Sequence, residues 1–441
     1  MTSRFIEIRP DNVPADGKVS FKNGFPILSF TISAQNGLLD PKTIRIVGDF
    51  NAYKDNLATP TPVRNGDGLT MNNRLGIYNL FDALTIRSHR SKMICEDIRH
   101  YNKYLNTYMG LTSSLQDQIG HLSETCLIYP NADAFRKNVV ESPANSKQTN
   151  HFSVHLPSGF LMSGNMINLQ PDAFGGVQIE LSLSPDSNVF YAISGTPVAG
   201  TNECHYELTN LKLCCEVQDI PDGALSGDQS QGVMNFNTIT SLYTSINSTN
   251  AQIQYSLSLR NVLSAFMTFM PVANNNTLTA DGMTTTFMSG SSSQSDIANF
   301  RRIQFLKGGS KYPADFDFVN SIVGDRNTIL ADPQLVKGFV EAVMPDYAQD
   351  KSTISPLNTA RDYTLITTTA ASSYTKIPDG GALSGLGVKY GIGGAGEDFS
   401  QEQFGVSIES DLKQDKPQGV YIFIKARAQL IYNRNGIQLI Q

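Results

Sequence analysis

Two histidines four residues apart are the clearest candidate for metal chemistry in the sequence. On an α-helix, His151 and His155 would face the same side, where imidazole nitrogens at this spacing can bind zinc. The nearby residues Ser153, Val154 and Pro157 favour a strand followed by a turn instead. On a strand the two side chains would lie more than about 10 Å apart along the chain. We therefore predict no metal site at these histidines.

A glycine-rich stretch from Gly391 to Gly396 has the GxGxxG spacing of a dinucleotide-binding turn. Such a turn needs a strand before it and a helix N-terminus after it, where backbone amides bind the pyrophosphate. Here a glycine-rich loop precedes the motif, and Glu397 and Asp398 follow it with charges that would repel a phosphate. We interpret the stretch as a loop. The sequence has no Walker A lysine and no GxSxG elbow, so we predict no cofactor.

The remaining charged residues form no catalytic constellation. Carboxylates are scattered, and the other close pair, Glu96-Asp97, consists of adjacent residues whose side chains diverge. A glycosidase pair assembled across the fold stays open, because a sequence alone does not exclude it. Basic residues cluster only at Arg301-Arg302 and in 87–90, beside strand-like sequence rather than stacking aromatic residues. We predict no catalytic, cofactor-binding or metal-binding residues, and a protein that is not an enzyme.

The five cysteines are Cys95, Cys126, Cys204, Cys214 and Cys215, and they form no CxxC pair. Adjacent residues on a strand point to opposite faces, so Cys214 and Cys215 are poor partners for a disulfide. We interpret all five as reduced, mostly buried thiols in a protein that is made in the cytosol.

The composition is that of a large globular protein with a polar but weakly charged surface. Of the 441 residues, 40% are hydrophobic and 17% are charged, and the net charge is −6. These values exclude a charged coiled coil and most disordered proteins, and they argue against binding to nucleic acid or anionic lipid through net charge. Charged residues at positions 4, 7, 9 and 11 argue against a signal peptide, and no apolar run approaches the roughly 18 residues of a membrane span. We expect a soluble protein that is not secreted by the ordinary route.

Alternation of apolar and polar residues dominates the sequence and predicts strands. The clearest strands are 177–184 and 253–259, and shorter candidates are 27–32, 43–47, 83–87, 211–217, 265–269, 404–408 and 420–424. The last candidate is apolar on both faces, so we predict a central strand that is covered on both sides. Asn435-Gly436 lies between two apolar runs and predicts a C-terminal hairpin with a type I′ turn.

Helical patterns are few, and a polar segment divides the chain near its middle. One helix of roughly four turns is predicted by the spacing of Ile94, Ile98, Tyr101, Leu105 and Tyr108, and another begins at Asp332-Pro333. Residues 219–232 separate two strand-rich halves, each about the size of an elaborated eight-stranded sandwich. The sequence therefore predicts an all-β protein of two sandwiches rather than a wound α/β sheet.

The order of several short motifs along nearly the whole chain points to one family. The first half carries the strand 28–32 with a Leu-Asp turn at 39–43, then Gly76-Ile77 with 84–88, the motif E-x-I-x-x-Y-N at 96–102, 169–183 and 206–213. The second half carries 303–313 and the terminal hairpin within 423–437. In this order the segments resemble the double jelly-roll major capsid proteins of polinton-like viruses, adintoviruses and virophages.

The resemblance implies two tandem eight-stranded jelly rolls with a few short helices in connecting loops. The implied parts are an N-terminal arm at 1–20, a first roll at 21–218, a linker at 219–232 and a second roll at 233–441. It also implies a structural protein without an active site. As a major capsid protein, the chain would form a homotrimeric, pseudo-hexagonal capsomer that tiles the icosahedral shell of a double-stranded DNA virus.

The resemblance also implies partners and a location. The partners are the chain itself in trimers and neighbouring capsomers, penton and minor capsid or cement proteins, and an inner membrane, with no sequence-specific nucleic acid. The location is the virion, after synthesis in the host cytoplasm or at viral factories. Two alternatives stay open: a carbohydrate- or receptor-binding sandwich such as a spike or lectin, and a β-sandwich hydrolase. The absence of Trp argues mildly against a sugar-stacking platform.

Overall fold

Antiparallel pairing joins the strands in every sheet of the described chain. The computed structural model describes residues 3–22, 24–54, 60–64, 66–113, 115–129, 132–141, 150–192, 204–220, 231–278, 283, 300–312, 318–319, 321–323, 328–330, 333–343, 385–391, 395–410 and 417–441. The strands form two groups, one on each side of residues 219–231.

The first group lies within residues 3–218. Its strands are β1 (Ser3–Ile8), β2 (Ile27–Ile32), β3 (Leu38–Tyr53), β4 (Leu69–Met71), β5 (Phe81–Ser88), β6 (Ile94–Arg99), β7 (Asn150–His155), β8 (Ile167–Asn168), β9 (Val177–Leu183), β10 (Phe190–Ala192) and β11 (His205–Gln218). Its helices are α1 (Tyr101–Thr112), α2 (Leu115–Ile119), α3 (His121–Cys126), α4 (Ala132–Phe135) and α5 (Asp186–Val189), with short 3₁₀ or π turns at Gly76–Leu80, Arg136–Val140 and Leu161–Ser163.

Eight of these strands make up the main part of two sheets, and the short strand β8 adds to one of them beside β3. One sheet has the order β1-β11-β3-β7, and the other has the order β2-β9-β5-β6. Counted along the chain from one to eight, these orders are 1-8-3-6 and 2-7-4-5, which is the jelly-roll arrangement. Buried residues from both sheets, such as Phe30, Ile46 and Ile179, share one hydrophobic core. We call this sandwich the first roll.

The second group lies within residues 232–440. Its strands are β12 (Gly232–Ile246), β13 (Asn250–Ser256), β14 (Val262–Pro271), β15 (Phe300–Lys307), β16 (Ser310–Lys311), β17 (Phe318–Val319), β18 (Ser321–Val323), β19 (Thr328–Leu330), β20 (Leu386–Lys389), β21 (Gln403–Ser410), β22 (Gln418–Asn433) and β23 (Gly436–Ile440). It also contains α6 (Pro333–Val343) and a 3₁₀ turn at Val272–Asn274.

The second group repeats the topology of the first. Its main sheets have the orders β12-β22-β14-β20 and β13-β21-β15-β16, with β23 added to β22 and β17 to β15. Counted as before, the eight main strands again run 1-8-3-6 and 2-7-4-5. We call this sandwich the second roll. The all-β prediction of two tandem eight-stranded jelly rolls is therefore confirmed.

The strand predicted at 420–424 lies in the interior of a sheet, as predicted from the apolar residues on both of its faces. It lies within β22, between β12 and β14. Val420, Ile422 and Ile424 point into the core of the second roll. Tyr421 and Phe423 point the other way and belong to the core of the first roll. This part of β22 is thus buried on both faces, and its sheet connects the two rolls.

The helix predicted from Ile94 to Tyr108 begins later than expected. Ile94–Arg99 is strand β6, which pairs with β5 and buries Cys95 and Ile98. His100 follows with a φ of 54°, a left-handed conformation that separates the strand from α1. The apolar residues of this segment are spaced by three and four, as in a helix. The segment is nevertheless a strand because its backbone pairs with the edge of β5.

Residues predicted as an N-terminal arm are part of the first roll where the structure describes them. Ser3–Ile8 is the edge strand β1, which pairs with β11 over its whole length. Val19 forms a bridge with Leu208 and is fully buried. The alternation of exposed and half-buried residues in β1 fits a sheet edge. Most of the predicted linker, 221–230, lies outside the described residues.

The C-terminal hairpin is confirmed, but its turn differs from the predicted type. Asn433 pairs with Gly436, so Arg434 and Asn435 form the loop. Only Gly436 of these residues has a positive φ, of 153°. The Oδ1 atom of Asn433 accepts hydrogen bonds from the amides of Asn435 at 2.8 Å and Gly436 at 3.1 Å. This side-chain cap replaces the two positive φ angles of a type I′ turn.

We expect Gly436→Val to lower the free energy of unfolding by about 1–2 kcal/mol, because a β-branched residue is strained at this φ. No atom lies within 4 Å of the position of an added Cβ, so steric overlap with a neighbour does not contribute. Urea denaturation measures the change. Arg434→Val in the same turn is the control and should change stability by less than about 0.5 kcal/mol. Equal midpoints for Gly436→Val and the unmodified chain would contradict the role of the positive φ.

Candidate functional site

The two histidines at i and i+4 lie on a strand, as predicted. His151 and His155 belong to β7, and the exposed ring of His151 contacts the Oδ1 atom of the buried Asp49. The side-chain amide of Asn210 donates a hydrogen bond to the Oδ2 atom of Asp49, at 2.6 Å. These contacts link β7, β3 and β11 side by side. Within the described ranges, no group of three or more His, Cys, Asp or Glu residues could hold a metal ion.

The structure describes the two ends of the glycine-rich motif and the acidic residues that follow it. Gly391 and Gly396 both have positive φ, and residues 392–394 lie outside the described residues. Glu397 forms a bridge with Val262 and accepts a hydrogen bond from Lys307 at 3.0 Å. The Tyr312 hydroxyl also donates to Glu397, and together these donors lower the pKa of its carboxyl group. The acidic residues after the motif thus serve structural contacts.

The basic cluster at 87–90 makes contacts within and between the rolls. Arg87 forms a salt bridge of 2.5 Å with Glu180 on the outward face of the β2-β9-β5-β6 sheet. Arg90 donates to the carbonyl of Ala173 at 3.2 Å and to the carbonyl of Arg434 in the terminal hairpin. The Arg301-Arg302 cluster lies within β15. The contacts of Arg87 and Arg90 are thus structural contacts within the chain.

All five cysteines are free and buried, as predicted. Burial raises the pKa of the thiols of Cys95, Cys204 and Cys215 to about 12. A thiol with such a pKa is a poor nucleophile and metal ligand at neutral pH. The cysteines therefore act as small apolar core residues.

The feature that the sequence did not reveal is a buried carboxylate at the contact between the rolls. Glu96 lies on β6 of the first roll and is only 2% exposed. Its Oε1 atom accepts a hydrogen bond from the amide of Ile239, on β12 of the second roll, at 3.0 Å. Its carboxyl oxygens also accept from the amides of Gly159 at 3.3 Å and Phe160 at 2.9 Å. One side chain thus joins β6, β12 and the segment 157–160; we call this contact region the junction.

A second polar contact continues along the same edge. The amide of Arg99, on β6, donates to the Ser241 hydroxyl on β12 at 2.8 Å. Because β12 is the edge of its sheet, some of its backbone groups need partners outside the sheet. Glu96 and Ser241 provide hydrogen bonds across this edge without a continuous strand ladder between the rolls.

Aromatic pairs fill the apolar part of the junction. Tyr104 of α1 lies 5.6 Å from Phe423 between ring centroids, and Phe160 lies 5.2 Å from Phe236. The ring of His100 lies 5.0 Å from that of Tyr421. Such edge-to-face pairs stabilise a contact beyond the area that they bury. These outward residues of β12 and β22 therefore belong to the hydrophobic core of the first roll.

A cleft of about 670 Å³ opens beside the junction. Its walls include Tyr104 and Tyr108 of α1, Phe236 of β12, and Lys425 and Arg427 of β22. Aromatic, amide and cationic groups thus line the space between the rolls.

Among the described residues, no helix is long and apolar enough to span a bilayer.

Burial controls the protonation of Glu96. Removal from water raises the pKa of this carboxyl group from 4.5 to about 7, although the amides of Phe160, Ile239 and Gly159 and the Ser158 hydroxyl act to lower it. The raised value means that the folded chain binds a proton more tightly than the unfolded chain. The resulting stabilisation is complete below pH 4.5 and is lost as the pH rises through 7.

We expect the free energy of unfolding to fall by about 3 kcal/mol between pH 4.5 and pH 8 because of Glu96, since each tenfold change in proton affinity is worth about 1.4 kcal/mol. Urea denaturation across this range measures the slope, and Glu96→Gln isolates the contribution. This variant is expected to be less stable at low pH but to show a shallower pH dependence. Asp186, whose pKa burial raises to about 6, titrates in both proteins and cancels in the comparison. Parallel pH profiles for the two proteins would contradict the assignment.

The topology of the two rolls and their junction define a double jelly-roll protein. No family model and no curated protein matches the sequence. The PBCV-1 virus capsid matches the structure with a TM-score of 0.55 at 10% identity, covering 100% of this chain and 96% of that chain. The mavirus major capsid protein matches with a TM-score of 0.52 at 9% identity, covering 99% and 90%. The chain has the double jelly-roll fold of viral major capsid proteins, which confirms the fold that the sequence resemblance implied.

Proposed function

We propose that this chain is a major capsid protein that assembles as a homotrimeric, pseudo-hexagonal capsomer in the icosahedral shell of a double-stranded DNA virus. The observation that carries the proposal is the pair of rolls with one strand order, fixed together because outward residues of β12 and β22 pack into the core of the first roll. Three such chains would bring six similar sandwiches around one axis. In this proposal such pseudo-hexagonal units tile the facets of an icosahedral shell through similar contacts on each side, and penton proteins close its vertices.

The outward surfaces of the rolls suit contacts with neighbours. The β2-β9-β5-β6 sheet presents a network of polar side chains, including Thr85 bonded to Asp97 at 2.8 Å and Arg87 bonded to Glu180. Satisfied polar groups of this kind form wet, reversible interfaces rather than a catalytic pocket. In this proposal the chain is not an enzyme, and its location is the virion. Its partners are other copies and minor capsid or penton proteins, with an inner membrane below the shell.

The mass of the purified protein in solution tests the proposal. Size-exclusion chromatography with light scattering should give three times the chain mass of 48.2 kDa. Negative-stain images of the same peak should show particles with a hexagonal outline. A monomer or dimer at all concentrations would overturn the trimeric capsomer.

A further inference from the structure

We propose that β1 and the outward side chains beside it bind β16 and the adjacent turn of the second roll in a neighbouring copy of this chain. We call this area the β1 surface: Phe5 and Glu7 of β1, Lys212 of β11 and Arg45 of β3. This inference rests on the proposed function, because it assumes that the chain assembles with itself. It adds the surface at which one copy meets the next.

The contact inside the chain supplies the template. β6 is the fifth strand of the first roll, and it packs against β12, the first strand of the second roll, which belongs to a different sheet. Glu96 and the amide of Arg99 make the hydrogen bonds across this contact. The fifth strand of one roll therefore meets the first strand of the other.

The other fifth strand and the other first strand, β16 and β1, have no such contact with each other within the chain, and both carry exposed residues. The fifth strand of the second roll is β16, whose two residues, Ser310 and Lys311, are both exposed. The first strand of the first roll is β1, on which Phe5 is 54% exposed. A contact between β16 of one copy and β1 of the next would repeat the β6–β12 contact between chains. A head-to-tail contact of this kind either closes into a ring or propagates without end.

The β1 surface has the composition of a subunit contact. The strand register places Glu7, Cys214 and Arg45 in one row, so these side chains share the outward face. The guanidinium of Arg45 lies 5.3 Å from the centre of the Phe5 ring. Lys212 and Glu7 form a salt bridge of 2.7 Å, with side chains that are 41% and 54% exposed. An aromatic anchor surrounded by charged groups is typical of interfaces between folded chains.

A single-tryptophan reporter tests the inference without disrupting the fold. The chain contains no Trp, so Phe5→Trp introduces the only indole. Ile119→Trp is the matched control, because Ile119, on α2, is 65% exposed in the isolated chain, close to the value for Phe5. The two variants are compared by acrylamide quenching of fluorescence within the trimer peak. We expect the quenching constant to be several-fold lower for Phe5→Trp than for Ile119→Trp.

A disrupting variant gives an independent readout. Phe5→Glu should retain the far-ultraviolet circular dichroism of the unmodified chain but shift the mass from trimer to monomer by light scattering. Ile119→Glu should remain trimeric. Equal quenching of the two tryptophans in the trimer, or a trimer of unchanged stability for Phe5→Glu, would overturn the β1 surface and leave the capsomer proposal intact. Failure of the unmodified chain to form trimers would instead overturn the proposed function.

Discussion

Replacing Gly159 by alanine is expected to disrupt the junction between the rolls. A Cβ atom at Gly159 would overlap the carbonyl oxygen of Asn237 on β12, and a backbone carbonyl within a sheet cannot rotate away. Segment 157–160 would then move off the second roll. Glu96 would lose its bonds from the amides of Gly159 and Phe160, and the Phe160–Phe236 contact would open.

We expect this substitution to lower the free energy of unfolding by about 4 kcal/mol or more, the range in which buried networks are broken. Urea denaturation measures the loss, and light scattering should show fewer trimers. Gly405→Ala on β21 is the control, because its added Cβ would lie 3.1 Å from the Leu306 side chain and 3.5 Å from the carbonyl oxygen of Ile253, without a severe overlap. We expect the control to cost less than about 1 kcal/mol. If Gly159→Ala denatured at the same urea concentration as the unmodified chain, the close contact with β12 would be refuted.

The sequence predicts the elements whose side chains alternate strictly and leaves others ambiguous. The prediction of strand β9 is correct because one face of 177–183 contacts the core and the other contacts water. The sequence predicts a helix from Ile94 because the apolar residues there fit the 3.6-residue period of a helix as well as the two-residue period of a strand. The segment forms a strand because it pairs with β5. In this pairing Thr85 lies opposite Asp97, which is 12 residues further along the chain. Local pattern therefore fails where a long-range edge sets the backbone conformation.

The junction could not be predicted from residue types. Glu96 appears in the sequence as half of an adjacent carboxylate pair. Its partners are backbone amides 63, 64 and 143 residues away, and any residue except proline carries such an amide. The neighbouring Asp97 points to the opposite face and accepts a bond from Thr85 instead. The available signal is the spacing of two residues between Glu96 and the buried Ile98, which places both on the same face once the segment is recognised as a strand.

Replacing Leu181 by aspartate tests the core of the first roll. Leu181 is fully buried on β9, and the register places it between Leu28 of β2 and Leu84 of β5, both almost fully buried. The substitution removes a buried apolar side chain that stabilises the fold by about 2–3 kcal/mol. It also buries a carboxyl group without a hydrogen-bond partner, which costs several kcal/mol more. The sum is comparable with the total stability of a typical domain of about 5–15 kcal/mol. We therefore expect Leu181→Asp to be insoluble or to lack a cooperative thermal transition.

The neighbouring residue provides the matched control for Leu181→Asp. Ser182 follows on the same strand but faces outward, beside the exposed Ile27 and half-buried Ala83 in the register. Ser182→Asp places the same carboxylate one residue away on the polar face, so we expect it to fold and to melt within a few degrees of the unmodified chain. Thermal unfolding followed by circular dichroism compares the two variants. Soluble trimers from Leu181→Asp would show that the alternation of β9 had been assigned to the wrong face, because a carboxylate in water has no reason to unfold the roll.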